Sequence, residues 1–282
     1  MIRSLEKVSN AMNNKILQLL QVGTIISVIL TIIVNGLANI LPIGGKNTGE
    51  LSDNIPNLFV PAGITFAIWG VIYVLIILFA IYLVKDLFKK VKTTKPFLEK
   101  ISYFFVLASL ANIIWIFLWH YEQIVLSLLA MILLFVSLLI IYLRLNIGIE
   151  KVSMRDKLFV HVPISIYIGW ITVATIANVT AVLVTIGWDG FGLSEQIWTM
   201  LVLIVAAIIT ILILFTRKDY AYSAVIIWAL IGIYIKRSAD DPVYGIQAGI
   251  ANISLIALIV ILVVALLSFF QFSKMEIRSI KK

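Results

Sequence analysis

Three stretches of the 282-residue chain combine aromatic side chains with small or amide side chains at helical spacing. In the first stretch, Trp69 and Tyr73 lie four residues apart and Phe66 lies three residues before Trp69, so the three rings share one helix face. Pro61 suits the first turn of this helix, where its missing N–H would have no partner in any case. Such a face can stack on a flat ligand, or it can pack against lipid and neighbouring helices.

The second stretch carries Asn112 and Trp115 three residues apart, with Trp119 one turn further along the same face. An amide in hydrocarbon is costly without a hydrogen-bond partner, so Asn112 indicates a contact with another helix or with a ligand. Trp119 falls near the end of its apolar run, where tryptophan is typical of the aromatic belt at a membrane surface.

The third stretch places Trp170, Ala174 and Asn178 at intervals of four residues. An aromatic ring, a small residue and an amide then follow one stripe of a helix, a pattern that can form the floor of a pocket. His161 lies near the other end of the stretch. A lone histidine there is more typical of capping or packing than of haem ligation.

Few other residues offer chemistry. The chain has no cysteine, which excludes disulfides, thiolate catalysis and Cys-ligated zinc or iron–sulfur centres, and its two histidines argue against a multi-histidine metal site. A membrane enzyme would need a cluster such as His120 and Glu122, approached from a later loop by Asp189 and Glu195. No nucleophile or metal-ligand spacing accompanies these residues. We therefore predict no catalytic residue and no metal site.

The elements that carry these stretches are predicted to be membrane helices. The chain is 62% apolar and 13% charged, whereas about a quarter of the residues in a soluble domain are charged. A spanning helix needs roughly 20 apolar residues, and runs of that length argue against the shorter alternating strands of a barrel. The fold class is therefore all-α, an integral multi-pass membrane protein. Eight spans are predicted, at residues 16–41, 61–84, 101–119, 123–143, 158–187, 197–216, 220–236 and 246–271.

The distribution of charge predicts the orientation of these spans. If the N-terminus is inside, 19 of the 22 Lys and Arg residues fall in cytoplasmic segments, so both termini are predicted to be cytoplasmic. The three exceptions are Lys46, Lys236 and Arg237. We expect the last two to lie with Asp240, Asp241 and Pro242 in a solvated outer loop, or alternatively to form a polar gate at the outer mouth. Topology and attraction to anionic lipid explain the net charge of +8, and no nucleic-acid partner is expected.

The three stretches, in this order, resemble the TspO family, the tryptophan-rich sensory or translocator proteins. That family has five membrane helices, with a proline-bearing loop before a Trp-x-x-x-Tyr helix, an Asn-x-x-Trp signature in the third helix, and a Trp, a small residue and an Asn at turn spacing in the fifth. The matching positions are Pro61, Trp69 and Tyr73, then Asn112 and Trp115, then Trp170, Ala174 and Asn178. The resemblance covers about residues 16–187.

The chain also departs from the family pattern. Pro61-Ala62 stands where the family has paired prolines, and Leu58 and Phe59 stand near the position of a missing loop tryptophan. Because that loop covers the ligand pocket in the family, the pocket chemistry is expected to differ. Three predicted helices after about residue 190 have no counterpart in five-helix members. We therefore expect a TspO-like core at residues 1–190 and three additional helices with a short basic tail at 191–282.

The resemblance implies a cavity among the first five helices, open towards the outer leaflet, that binds a flat hydrophobic molecule such as a porphyrin, haem or lipid. Transport or sensing would follow from that binding. No cofactor is expected, and a porphyrin or haem would be a ligand. The residues expected to bind it are Pro61, Phe66, Trp69, Tyr73, Asn112, Trp115, Trp170, Ala174 and Asn178.

Partners and location follow from the same resemblance. Dimers are common in the family and the small-residue faces permit a homodimer, although the additional helices could cover that surface. Membrane lipid is the other expected partner, and the expected location is the plasma membrane of a bacterium.

Two other functions stay open beside ligand binding. A secondary transporter of another solute is the nearer one, but the predicted spans contain no Asp or Glu and the chain shows no convincing internal repeat. A structural or partner-binding role would be favoured if neighbouring helices fill the stripes. A membrane enzyme is the least supported.

Overall fold

A computed structural model of the chain confirms the all-helical prediction. It describes the backbone of residues 2–41, 43–85, 97–240 and 245–280, and side chains within residues 15–16, 18–41, 43–85, 101–240 and 245–270. The regular secondary structure of these residues is entirely helical. Eight segments are long and apolar enough to cross a membrane, and each agrees with a predicted span to within four residues at either end. They are residues 18–40, 63–84, 101–120, 124–144, 154–185, 195–217, 220–238 and 248–270.

The helices differ in length and in how they join. In chain order they are α1 (Ile2–Ile40), α2 (Thr48–Asn54), α3 (Ile68–Val84), α4 (Phe97–His120), α5 (Ile124–Arg144), α6 (Met154–Asp156), α7 (Val162–Thr185), α8 (Glu195–Arg217), α9 (Tyr220–Ser238) and α10 (Ala248–Ile280). A 3₁₀ turn at Gly63–Ala67 leads into α3, and a π-helical turn at Lys157–His161 joins α6 to α7.

Helices α1, α3, α4, α5 and α7 form a closed ring, which we call the five-helix core. Around the ring, α1 contacts α3, α3 contacts α7, α7 contacts α5, α5 contacts α4, and α4 returns to α1. Since lipid is as apolar as leucine, these helices associate through close packing and interhelical hydrogen bonds rather than through the hydrophobic effect. Small residues allow that packing, and Ala108 and Ala111 of α4 are fully buried.

The short helix α2 is fastened to one end of the core. Asn47 caps it by accepting hydrogen bonds from the N–H groups of Gly49 and Glu50, while the Glu50 carboxylate accepts one from the N–H of Asn47. At the end of α4, the ring of His120 forms a hydrogen bond of 3.1 Å with the hydroxyl of Thr48. These bonds hold α2 at the end of the bundle that the charge distribution predicts to be the outer one.

The other three spans, α8, α9 and α10, pack against one another, and α9 packs along the core, while Arg217 at the end of α8 lies over the ring of Tyr142 of α5. Helix α9 contacts α7 and the turn at Gly63–Ala67. Gly169 permits this approach, because a Cβ there would lie 3.1 Å from the Cβ of Val225. The predicted boundary near residue 190 falls in the loop between α7 and α8. The division into two units stays a prediction.

The structure corrects the expectation for Arg237. This residue ends α9 and is 1% exposed, so it does not lie in a solvated loop. One nitrogen of its guanidinium, Nη2, donates to the carbonyl of Asn57 at 3.1 Å and lies 3.5 Å from that of Val60. A guanidinium has five N–H donors in a fixed plane, so it can satisfy several carbonyls of an irregular segment at once.

Its neighbour Lys236 lies nearer the surface and forms a salt bridge with Asp53 of α2. Both cations of α9 thus contact the segment between α1 and α3. Of the turn predicted beyond them, residues 241 and 242 lie outside the described part of the chain.

Candidate ligand-binding site

Trp69 is the centre of a group of aromatic rings inside the five-helix core. Its ring stacks on Tyr73 at a centroid distance of 5.7 Å and on Trp115 at 6.2 Å. It meets Tyr167 at 6.3 Å and Trp170 at 6.2 Å edge to face. These distances lie within the range of about 4.5–7 Å in which aromatic pairs attract one another. The group joins three helices of the ring, because its members come from α3, α4 and α7.

Two more pairs extend this group. Trp115 stacks on Trp119 at 5.9 Å, and Phe66 meets Trp170 edge to face at 5.8 Å. The aromatic cluster therefore consists of Phe66, Trp69, Tyr73, Trp115, Trp119, Tyr167 and Trp170.

A chain of hydrogen bonds holds the cluster in place on the α4–α5 side. The indole N–H of Trp115 donates to Oδ1 of Asn178 at 3.1 Å, and the amide nitrogen of Asn178 donates to the hydroxyl of Ser127 at 3.0 Å. That hydroxyl donates in turn to the carbonyl of Ile124 at 2.7 Å. Breaking one of these hydrogen bonds would leave a buried polar group unpaired, at a cost of about 1–3 kcal/mol. The bonds therefore hold these side chains in position.

The indole N–H of Trp170 differs from that of Trp115. Trp170 is 2% exposed, and its Nε1 has no hydrogen-bond partner in the part of the chain that the structure describes. A buried tryptophan N–H usually has one. Trp170 is also one of the residues that line a cavity.

The first cavity, which we call the central cavity, lies among the rings themselves. Its volume is about 30 Å³, enough for a water molecule but about a tenth of the 300–1,000 Å³ typical of small-molecule sites. The rings therefore fill most of the space. The lining residues are Thr48, Ser52, Pro61, Phe66, Trp69, Trp115, Trp119, Trp170, Val173, Ala174, Ala177 and Asn178.

A larger cavity, which we call the vestibule, adjoins it between α1 and α3. Its volume is about 470 Å³. Thr48, Phe66 and Trp69 line both cavities, so the two spaces share a wall. The lining residues are Asn35, Gly36, Asn39, Ile40, Asn47, Thr48, Gly49, Glu50, Asp53, Gly63, Phe66, Trp69, Gly70 and Tyr73.

The structure brings most of the predicted site residues together. Seven of the nine line the central cavity, namely Pro61, Phe66, Trp69, Trp115, Trp170, Ala174 and Asn178. Tyr73 lines the vestibule and stacks on Trp69. That these residues bind a ligand stays a prediction.

Asn112 lines neither cavity. Its Oδ1 accepts a hydrogen bond of 2.7 Å from the amide nitrogen of Asn35, which joins α4 to α1. The sequence left open whether its partner would be a helix or a ligand. The partner of Oδ1 is a helix, and Nδ2 has no partner among the described residues.

The prediction of Trp119 as a membrane-surface residue is wrong. Trp119 is 5% exposed, lines the central cavity and donates its N–H to the carbonyl of Thr48 at 3.4 Å. Its spacing of four residues from Trp115 was the signal that could have placed it in the cluster. Thr48 and Ser52 had no such signal, because they reach the cavity only through the docking of α2.

One comparison with known proteins identifies a family. The family model described as TSPO-like protein matches residues 20–270, from the first span to the last. The chain belongs to the TSPO-like family. No match was found among curated proteins or among solved structures. The family match of this TSPO-like protein continues through α8, α9 and α10, beyond residue 187 where the resemblance based on three stretches ended.

Family membership and the eight apolar helices identify this TSPO-like protein as a multi-pass membrane protein of the ligand-binding and transport type. Enzymatic activity is not the general property of such a family. Within the described residues, no group of three or more His, Cys, Asp or Glu is placed to hold a metal ion.

Proposed function

We propose that this protein binds a flat hydrophobic small molecule against its aromatic cluster. The observation that carries the proposal is a cavity lined by four tryptophans, one of which, Trp170, has an N–H without a partner among the described residues. Aromatic faces attract a planar apolar ligand, and a single unpaired donor fixes an acceptor group of that ligand.

The size of the two cavities limits how a ligand can lie. A tetrapyrrole exceeds the central cavity of about 30 Å³ but is within the size class of the vestibule, at about 470 Å³. A ring of that size would lie in the vestibule with one face on Trp69 and Phe66. A deeper position would require these side chains to rotate.

Porphyrins are the first ligand class to test, with haem and lipid as the other members of the proposed set. No histidine or cysteine is among the described residues that line either cavity. The iron of haem would therefore gain no imidazole or thiolate ligand there. We expect metal-free protoporphyrin IX to bind about as well as haem.

The experiment is a titration of the purified full chain with protoporphyrin IX and with haem, followed by quenching of tryptophan fluorescence. We expect saturable binding with a Kd of roughly micromolar order, about −8 kcal/mol. Trp69→Phe and Trp170→Phe should weaken it while the thermal unfolding temperature changes little.

Trp188→Phe is the matched control, because Trp188 meets Phe191 edge to face and Trp198 at a tilt near the α7–α8 loop and lines neither cavity. Absence of saturable binding, or equal loss in the control, would overturn the proposal. The small central cavity would then indicate the alternative, a structural or partner-binding core in which the rings pack only on one another.

Transport or sensing by the bound form, a homodimer, and residence in a bacterial plasma membrane belong to the same proposal. No catalytic residue is proposed. Reconstituted vesicles that hold porphyrin on one side distinguish transport from binding alone, because transport alone moves the ligand across.

A further inference from the structure

The vestibule is lined by polar residues of α1 and α2 as well as by aromatic rings, and these polar residues have no role in the stacking of a flat ring. A Cβ built on Gly36 of α1 or on Gly70 of α3 meets no atom within 4 Å, so the helices stand apart at this level. The volume of about 470 Å³ leaves room for a head group beside the ring-binding wall of Phe66 and Trp69.

The amide of Asn35 offers an acceptor to this space. Asn35 is 1% exposed and lines the vestibule. Its nitrogen donates to the carbonyl of Thr31 at 2.9 Å and to Oδ1 of Asn112 at 2.7 Å. Both bonds use the nitrogen, and no described residue donates to Oδ1 of Asn35. A buried oxygen without a donor is suited to a ligand that brings an N–H or O–H group.

The carboxylates of α2 add further acceptors. Glu50 and Asp53 are three residues apart and both line the vestibule. Asp53 is neutralised by its salt bridge with Lys236, whereas one oxygen of Glu50 accepts only the N–H of Asn47. Among the described residues that line the vestibule there is no Lys, Arg or His. The lining is therefore rich in acceptors and carries the uncompensated negative charge of Glu50.

Aromatic faces complete the set of groups that favour a cation. Phe66, Trp69 and Tyr73 line the same space, and the face of an aromatic ring attracts an ammonium group within about 6 Å of its centre. An anionic head group would instead meet the charge of Glu50 without a basic partner.

We propose that the vestibule binds the protonated amine of an amphipathic ligand whose flat apolar part lies on the aromatic cluster. This inference rests on the proposed function and specifies the head group that the same site prefers. The aromatic wall binds the flat ring, and an ammonium group beside it adds affinity, whereas the two carboxylates of a porphyrin add none.

The test compares three pyrene probes that differ only in their head group: 1-pyrenemethylamine, 1-pyrenemethanol and 1-pyrenecarboxylate. Each is titrated into the full chain in a neutral detergent at pH 7, and energy transfer from tryptophan to pyrene reports binding. We expect the amine to bind about tenfold more tightly than the carboxylate. Raising the salt concentration should reduce the amine's advantage and leave the alcohol unaffected.

Variants assign this preference to the vestibule. Glu50→Gln keeps an acceptor for the capping box and should weaken amine binding about three- to fivefold, as expected for one partly exposed charge. Asp53→Asn leaves Lys236 without its acidic partner and should shift the preference further towards the carboxylate. Glu122→Gln is the control, because Glu122 is exposed in the α4–α5 turn and lines neither cavity.

The outcomes separate this inference from the proposed function. Equal binding of the three probes, or tightest binding of the carboxylate, overturns the amine assignment while the aromatic site stands. If the amine binds most tightly but neither Glu50→Gln nor Glu122→Gln changes its Kd, the ammonium group lies outside the vestibule. That result also overturns the amine assignment. Failure of all three probes to bind overturns the proposed function and this inference together.

Discussion

Trp115, Trp119 and Trp170 all line the central cavity but differ in the partner of the indole N–H. Trp115 and Trp119 donate to protein acceptors, Asn178 and the carbonyl of Thr48. Trp170 is buried, and its N–H has no partner among the described residues. A phenylalanine would avoid the cost of that unpaired donor, so the contrast supports the proposed contact of Trp170 with a ligand.

The pair of Trp115 and Asn178 gives a prediction about stability. Asn178→Ala should lower the free energy of unfolding by about 1–3 kcal/mol, because it leaves the N–H of Trp115 and the hydroxyl of Ser127 short of a partner. In a Trp115→Phe background, Asn178→Ala should lower the free energy of unfolding by about 1 kcal/mol less, because no indole N–H is then left without an acceptor. Thermal unfolding in detergent measures both.

Asn252→Ala is the control for this pair, because Asn252 lies on α10 with its side chain exposed, and it should have little effect. Strictly additive costs of Asn178→Ala and Trp115→Phe would contradict the proposed coupling.

Which residues share a face of one helix could be predicted from their spacing. Which residues of two different helices contact each other could not. Spacing placed Trp69 with Tyr73 and Trp170 with Asn178 on common faces, and the structure shows these residues around adjoining cavities. The bond between Asn35 and Asn112 joins residues 77 positions apart. Nothing in the spacing within either helix determines such a pairing.

At the level of elements, α9 fits closely against the segment that leads into α3. The N–H of Ala62 donates to the carbonyl of Gly232 at 3.0 Å, and the indole of Trp228 donates to the carbonyl of Thr65 at 2.9 Å. Pro61, which lines the central cavity, belongs to the same segment. The shape of the cavity therefore depends on a helix outside the five-helix core.

This close approach predicts the effect of a methyl group at Gly232. A Cβ there would lie 1.9 Å from Oγ1 of Thr65 and 3.0 Å from the Cβ of Pro61, so the segment must move. Gly232→Ala should cost about 1–3 kcal/mol of stability and weaken ligand binding, because the wall of the cavity shifts. Thermal unfolding and the porphyrin titration measure the two effects.

Gly249→Ala provides the matched control in α10. A Cβ at Gly249 would make an ordinary contact of 3.5 Å with Met200, and alanine favours a helix over glycine by about 1 kcal/mol. It should be neutral or stabilising. If Gly232→Ala is equally harmless, α9 does not determine the position of the Pro61 segment.

The predicted inner end of α9 is held by a buried carboxylate. Asp219 caps the helix and accepts hydrogen bonds from the hydroxyls of Tyr142 at 2.9 Å and Ser165 at 2.7 Å. Asp219→Ala should lower the free energy of unfolding by about 2–4 kcal/mol, since a cap contributes roughly 1 kcal/mol and each stranded hydroxyl adds to the cost. Asp189→Ala removes an exposed cap and should cost about 1 kcal/mol or less. Equal shifts in unfolding temperature would show that Asp219 does not join α9 to the core.

Long elements were predictable from the sequence and short ones were not. The spans follow from the length of each apolar run, which the bilayer dictates. Two short elements depend on contacts with distant helices: the seven-residue helix α2 contacts α4, and the turn at Gly63–Ala67 contacts α9. No local sequence pattern predicts either of them. Arg237 was misplaced for the same reason, because the carbonyls that it satisfies belong to a distant loop.

At the level of the whole molecule, the segments predicted to be outside meet at one end of the bundle. Asn57, in the segment between α2 and α3, donates to Thr180 near the end of α7 at 2.7 Å. His120, at the end of α4, contacts Thr48 of α2. At the other end, Tyr82 of α3 donates to Asp156 of α6. This alternation is what eight consecutive spans require, and the charge asymmetry then assigns the first end to the outside.

The lack of cysteine makes that assignment directly testable, since each introduced cysteine is the only thiol in the chain. A membrane-impermeant maleimide added to intact cells should label Tyr121→Cys and Leu193→Cys, whereas Lys85→Cys and Lys151→Cys should react only after permeabilisation. All four positions are exposed, so a failure to react reports the side of the membrane rather than burial. If only Lys85→Cys and Lys151→Cys react in intact cells, the orientation of the bundle in the membrane is the reverse of the predicted one. The vestibule, with Glu50 and Asp53, would then face the cytoplasm, and its ligand would have to arrive from inside the cell.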